Sequence, residues 1–155
     1  MMGGFSEEVR HVLMEAGWRP GRRVRTRIYS LQLTAASYQW FPAVAAFLRE
    51  FGGLHLQFLR RDGSMGTLQF TPLMALQYQT PAQVQHYTQH LAPAPLCLIG
   101  QAYAEHLMLL MDAAGVVYGS FDHVLFRVGA TGREAIEAIC RDLEFQELRT
   151  RDALE

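Results

Sequence analysis

The sequence has no lysine; all 14 of its basic side chains are arginine. With abundant alanine and glycine, this reads as the codon bias of a GC-rich genome. It leaves guanidinium as the only permanent cation, a group suited to planar, bidentate contacts at interfaces. Cysteine is scarce. Cys97 and Cys140 stand far apart, with no CxxC pair and no disulfide framework, and their apolar surroundings predict buried free thiols. No apolar run approaches the length of a membrane-spanning helix. The opening MMGGFSEEVR lacks the apolar stretch of a signal peptide, so a cytoplasmic location is expected. Net charge is −1, so no overall field draws the chain to nucleic acid or anionic lipid.

What is present suits a single folded domain. The chain has 155 residues, half of them hydrophobic, enough for one sizeable core. The low net charge argues against disorder. Charge is uneven: residues 1–61 hold nine arginines and four acids, net +5, and the remainder holds five arginines and eleven acids, net −6. Two oppositely charged faces would suit steering between proteins; ordinary surface salt bridges would account for the same pattern.

The periodicities predict an α+β fold. Ser6 caps a helix with Glu7 and Glu8 in its first turn, stopped by Gly17. Trp18-Arg19-Pro20-Gly21 is a turn. Thr26 is expected to cap a second helix reaching Ala36, and Pro42 opens a third that ends at Gly52-Gly53. Strands are predicted from Leu54 to Leu59 and from Gly66 to Phe70 around Asp62-Gly63. Pro81 to about Leu91 reads as a helix. Leu96–Ile99, Leu107–Met111, Val116–Phe121 and Val124–Val128 read as strands, with a hairpin at Asp112-Ala113-Ala114-Gly115. Thr131 and Glu134 form a capping box for a last helix to about Leu143. Residues 144–155 read as a charged tail beyond a core of about 5–143. Helices, then a strand meander, then a helix predict a mostly antiparallel sheet flanked by helices.

Candidate chemistry is sparse. His86 and His90, at i and i+4, could share a face toward a metal, but no third ligand stands at an informative spacing. Glu105-His106 and Asp122-His123 are neighbours whose side chains would leave a strand on opposite faces. No nucleophile motif and no strand–glycine-loop–helix phosphate cradle occurs. No catalytic residue, metal or cofactor is therefore assigned. The basic stretch from Arg19 to Arg27 could meet phosphates, yet it lacks interleaved aromatics, and direct nucleic-acid binding is not expected. The run Leu107-Met108-Leu109-Leu110-Met111 fits a strand buried on both faces or an adaptable surface.

Several strings resemble, in order, the SUKH superfamily of bacterial immunity proteins, and most closely its third subfamily. They are FSEEVRHVLMEAGWRPGR (5–22), FPAVAAFLREFGGL (41–54), LCLIGQAY (96–103), LMLLMDAAGVVYGSF (107–121) and GREAIEAI (132–139). The matching positions are Gly17, Trp18, Pro20, Gly21, Phe41, Pro42, Gly52, Gly53, Gly100, Asp112, Gly115, Tyr118 and Gly119, most of which read as turns, caps and core. The resemblance implies a mixed sheet flanked by helices. It also implies a non-enzymatic protein that binds and blocks a cognate toxin domain, often a nuclease or nucleic-acid deaminase. An alternative is a general intracellular protein-binding scaffold or regulator, as related fungal regulators suggest.

Aromatic and arginine side chains tend to anchor interfaces. Candidate partner contacts are therefore Trp18, Arg22 and Arg23 near the first turn, with Tyr118, Phe121 and Asp122 near the hairpin; Trp18 could equally be core. The hairpin tip carries Ala113-Ala114 where relatives have polar residues, and the stretch after Gly21 is unusually rich in arginine. Mimicry of nucleic acid would then fall to the acidic second half, at Glu105, Asp112 or Asp122.

Overall fold

The computed structural model describes residues 4–76, 95–103, 107–121 and 124–148. Helix α1 spans Glu7–Glu15, α2 Arg27–Ala35 and α3 Pro42–Phe51. Strands β1 (His55–Leu59) and β2 (Met65–Gln69) follow, then the short helix α4 (Pro72–Ala75). Strands β3 (Cys97–Ala102), β4 (Leu107–Met111), β5 (Val117–Phe121) and β6 (Val124–Gly129) lead to α5 (Gly132–Cys140) and β7 (Gln146–Leu148). This is an α+β fold. The expected helix from Pro81 to Leu91 lies outside the described residues.

The seven strands form one sheet in sequence order, each antiparallel to its neighbours. This is the mostly antiparallel sheet expected from the order of elements, rather than the mixed sheet implied by the resemblance. Each strand turns back on its predecessor, so no described pair needs the crossover that parallel strands require. Strand β1 lies at one edge, with Leu56 opposite Leu68 and Phe58 opposite Gly66. Its Leu56 and Phe58 are buried, whereas His55, Gln57 and Leu59 are exposed, the period-two pattern of a sheet covered on one face. Strands β3 and β4 are buried at every position, which settles the methionine-rich run as a doubly covered strand. Helix α1 packs against β1 and α5, α5 against β6 and β2, and α3 and α4 against β3. Phe47, Phe51 and Phe70 stack between α3 and the sheet, with ring centroids 4.9–6.4 Å apart.

Three helices end the same way. After α1, the Trp18 and Gly17 amides donate to the Leu13 and Met14 carbonyls, with Gly17 at φ +106°. After α2, Tyr38 and Ser37 donate to Leu33 and Thr34, with Ser37 at φ +74°. After α5, Leu143 and Asp142 donate to Ala138 and Ile139, with Asp142 at φ +54°. This is the Schellman closure, which needs a left-handed residue and usually takes glycine. Only Gly17 is the glycine this closure favours; α2 ends at Ala35, next to the expected Ala36, whereas α5 ends at Cys140 rather than near Leu143.

Other local expectations divide similarly. The Ser6 hydroxyl accepts from the Val9 amide and the Thr131 hydroxyl from the Glu134 amide, as expected of caps. Thr26 sits at the start of α2 but its side chain makes no capping bond. Gly115, at φ +90°, closes the β4–β5 hairpin. Gln146–Leu148, within the segment read as a tail, pairs with β6 as strand β7. Cys97 and Cys140 are buried free thiols, and burial pushes both up to about 12.

Candidate functional site

The first turn and the end of α3 are built as one unit. Arg19, Pro20, Gly21 and Arg22 form a turn closed by the Arg22 amide donating to the Arg19 carbonyl at 3.0 Å. Gly21 takes φ +83°, as the third position of a Pro-Gly turn requires. The Arg22 guanidinium then reaches the C-terminus of α3 and donates to the carbonyls of Glu50 (2.6 Å) and Gly52 (2.9 Å). Arg19 does the same for α1, donating to the Met14 and Trp18 carbonyls at 3.0 and 2.7 Å. Arg22 thereby satisfies carbonyls at the negative end of the α3 dipole, and Arg19 adds a second donor to the Met14 carbonyl, which already accepts from Gly17. Partial burial lowers the Arg22 pKa, and the nearby Tyr29 and Glu50 counter it only in part.

Glu50 joins three distant parts of the chain. Its carboxylate Oε2 accepts the Trp18 indole N–H at 3.1 Å and an Arg133 N–H at 2.7 Å. The Arg133 guanidinium also lies over the rings of Phe5 and Phe51, at 4.9 and 5.6 Å from their centroids. Phe5 meets Trp18 and Phe51 edge-on. Two open hollows share this pair. One, about 370 Å³, is lined by Phe5, Arg10, Trp18, Gly21 and the Glu50–Arg133 pair. The other, about 240 Å³, lies between α3, the start of α5 and Gly115 at the hairpin tip. The first turn and the β4–β5 hairpin therefore border hollows that meet at Glu50 and Arg133. Neither residue was singled out in sequence, because no local pattern marks an ion pair between positions so far apart.

The six expected contact residues fall into different environments. Trp18 and Tyr118 are only 3% and 5% exposed. Burial, helped by nearby Asp112, raises the Tyr118 pKa. Arg22 is half-buried on the α3 carbonyls, whereas Arg23 is exposed. Phe121 is 42% exposed at the end of β5. Asp122 lies outside the described residues, as do Glu105, His86 and His90. Asp112 corrects an expectation: it is buried, and its Oδ1 accepts the amides of Ala114 (3.0 Å) and Val116 (2.9 Å). That carboxylate builds the hairpin turn and is not displayed as a surface acid.

Among the described residues, no cluster of three or more His, Cys, Asp or Glu side chains could hold a metal, and no helix is long and apolar enough to cross a membrane. The arrangement offers contact surface, charge and a rigid turn. The chain matches the family model described as SUKH-3 immunity protein over residues 5–142. No curated protein and no solved structure matches it.

Proposed function

The chain belongs to the SUKH-3 immunity protein family, and we propose that it binds a cognate bacterial toxin domain directly and silences it without catalysis. The family match from residue 5 to 142 carries this reading. The toxin class expected from the superfamily is a nuclease or a nucleic-acid deaminase, met in the cytoplasm. Of the candidate contacts among the described residues, Arg23 and Phe121 are the exposed members and supply the direct contacts, with Asp122 beside Phe121 in the chain. Trp18, Arg22 and Tyr118 act beneath them by holding the turn and the hairpin in shape.

The test is co-expression with a toxin encoded beside this gene. Protection, together with a purified complex of the two proteins, supports the reading. A toxin that kills regardless of co-expression and elutes separately from this protein rejects it. Within a complex, Arg23→Glu and Phe121→Ala each weaken affinity about tenfold or more, as truncated interface anchors do.

A further inference from the structure

The basic stretch after the first turn divides into two kinds of arginine. Arg19 and Arg22 are bound to helix-terminal carbonyls. From Arg22 to Arg27, exposure alternates residue by residue: Arg22, Val24 and Thr26 are half-buried, whereas Arg23, Arg25 and Arg27 are exposed. The Val24 amide donates to the Arg49 carbonyl at 2.7 Å, which pins the segment along the end of α3. Arg49 is itself exposed. The ion pairs among the described residues use Arg60, Arg61, Arg133 and Arg141, and none reaches Arg23, Arg25, Arg27 or Arg49. Three exposed arginines are thus carried on a segment held to α3 by the Arg22 guanidinium and the Val24 amide. Successive members are at most about 7 Å apart along the backbone.

We propose that the Arg23, Arg25 and Arg27 comb is a docking surface for an acidic segment of a partner protein. This rests on the reading above and names the partner chemistry at that surface. Guanidinium groups pair bidentately with carboxylates, and these lack an acidic partner of their own among the described residues. A long nucleic-acid backbone is the poorer match. The comb has no interleaved aromatic on which bases could stack, and the remainder of the chain from residue 62 carries net −6, which repels an extended polyanion. A short acidic segment meets the comb alone.

The experiment titrates the full-length protein at low salt with two fluorescent probes of equal charge: a twelve-residue peptide of alternating glutamate and glycine, and an oligothymidylate. The peptide is expected to bind more tightly, and Arg23→Gln/Arg25→Gln/Arg27→Gln to weaken it at least tenfold with unchanged melting temperature. Arg127→Gln, an exposed charge on β6, should stay within twofold of wild type. Equal or tighter binding of the oligothymidylate overturns the proposal, as does peptide affinity unchanged in the triple variant. Self-association by sedimentation that the triple variant abolishes also overturns it, because the occupant is then the acidic half of a second copy. A triple variant that protects cells from the cognate toxin as well as wild type does sinks this inference and leaves the proposed function standing. A wild-type protein that fails to protect sinks the function, and the peptide titration still decides the comb.

Discussion

The Glu50 carboxylate and the Arg133 guanidinium meet at 2.7 Å although 83 positions separate them. The same carboxylate oxygen accepts the Trp18 indole N–H. One side chain on α3 therefore anchors the turn after α1 and the first turn of α5. Replacing it with Gln keeps an acceptor for the indole but removes the charge facing Arg133. Both partners are partly exposed, which limits the ionic contribution. Glu50→Gln is expected to cost about 1 kcal/mol, and Glu50→Ala about 2 kcal/mol, because it strands the indole N–H as well. Urea denaturation of both variants measures the difference; equal stability of wild type and Glu50→Ala contradicts the joint.

Trp18 is nearly inaccessible, so its substitution should read out in stability before it reads out in binding. Trp18→Ala is expected to destabilise by about 3–5 kcal/mol. Trp18→Phe keeps most of the ring and loses the bond to Glu50, costing about 1–2 kcal/mol. If Trp18→Phe lowers toxin affinity at temperatures where it remains fully folded, the side chain is a contact after all.

Ser37 closes α2 in the left-handed region at φ +74° and is exposed. Glycine adopts that conformation without the penalty of a Cβ. Ser37→Gly is expected to raise stability by about 0.5–1 kcal/mol, visible as a higher melting temperature. The equivalent change at Asp142 should do the opposite. The Asp142 carboxylate accepts the Arg61 amide at 3.0 Å and pairs with the Arg60 guanidinium at 3.2 Å, tying the β1–β2 hairpin to the end of α5.

Those bonds also predict a pH dependence. The Arg61 amide, then Arg60, hold the Asp142 carboxyl below the usual carboxylate range. The folded state therefore binds this proton less readily than the unfolded chain. Its contribution is fully present above the unfolded carboxyl pKa near ~3.9 and is lost as pH falls through the lower folded value. Asp142→Asn should lower stability at neutral pH and flatten the loss below about pH 4. Thermal melts of both proteins across that acid range test it; parallel curves refute it.

Both thiols are buried and remain protonated well above neutral pH. Ellman's reagent at pH 8 should find neither thiol in the native protein and both in denaturant. Prompt native labelling of Cys97 or Cys140 would show that the core opens around it.

The signature residues explain why a family was legible when a site was not. Gly17, Gly21, Gly53 and Gly115 take positive φ. Gly100 has no room for a Cβ, which would collide with the Gln69 carbonyl. Phe41, Trp18 and Tyr118 are buried, and Asp112 shapes a turn. Each marks a requirement of the fold, and a recurrent fold leaves the same marks wherever it occurs. A partner surface leaves none of this kind, because exposed side chains are free of such backbone and packing demands.

The sequence by itself determined where most helices and strands lie. Caps, glycine stops and the periods of 3.6 and 2 are local properties of neighbouring residues. It equally determined the scarcity of catalytic motifs and the uneven charge. Tertiary structure decided what locality could not express: that the sheet is antiparallel throughout, that 146–148 joins it as a strand, and that Glu50 links Trp18 to Arg133. It also sorted a single run of arginines into two that close helix ends and three that face outward. Most of these depend on which groups far apart in the chain come within about 3 Å of one another, and a short-range pattern carries no record of that distance.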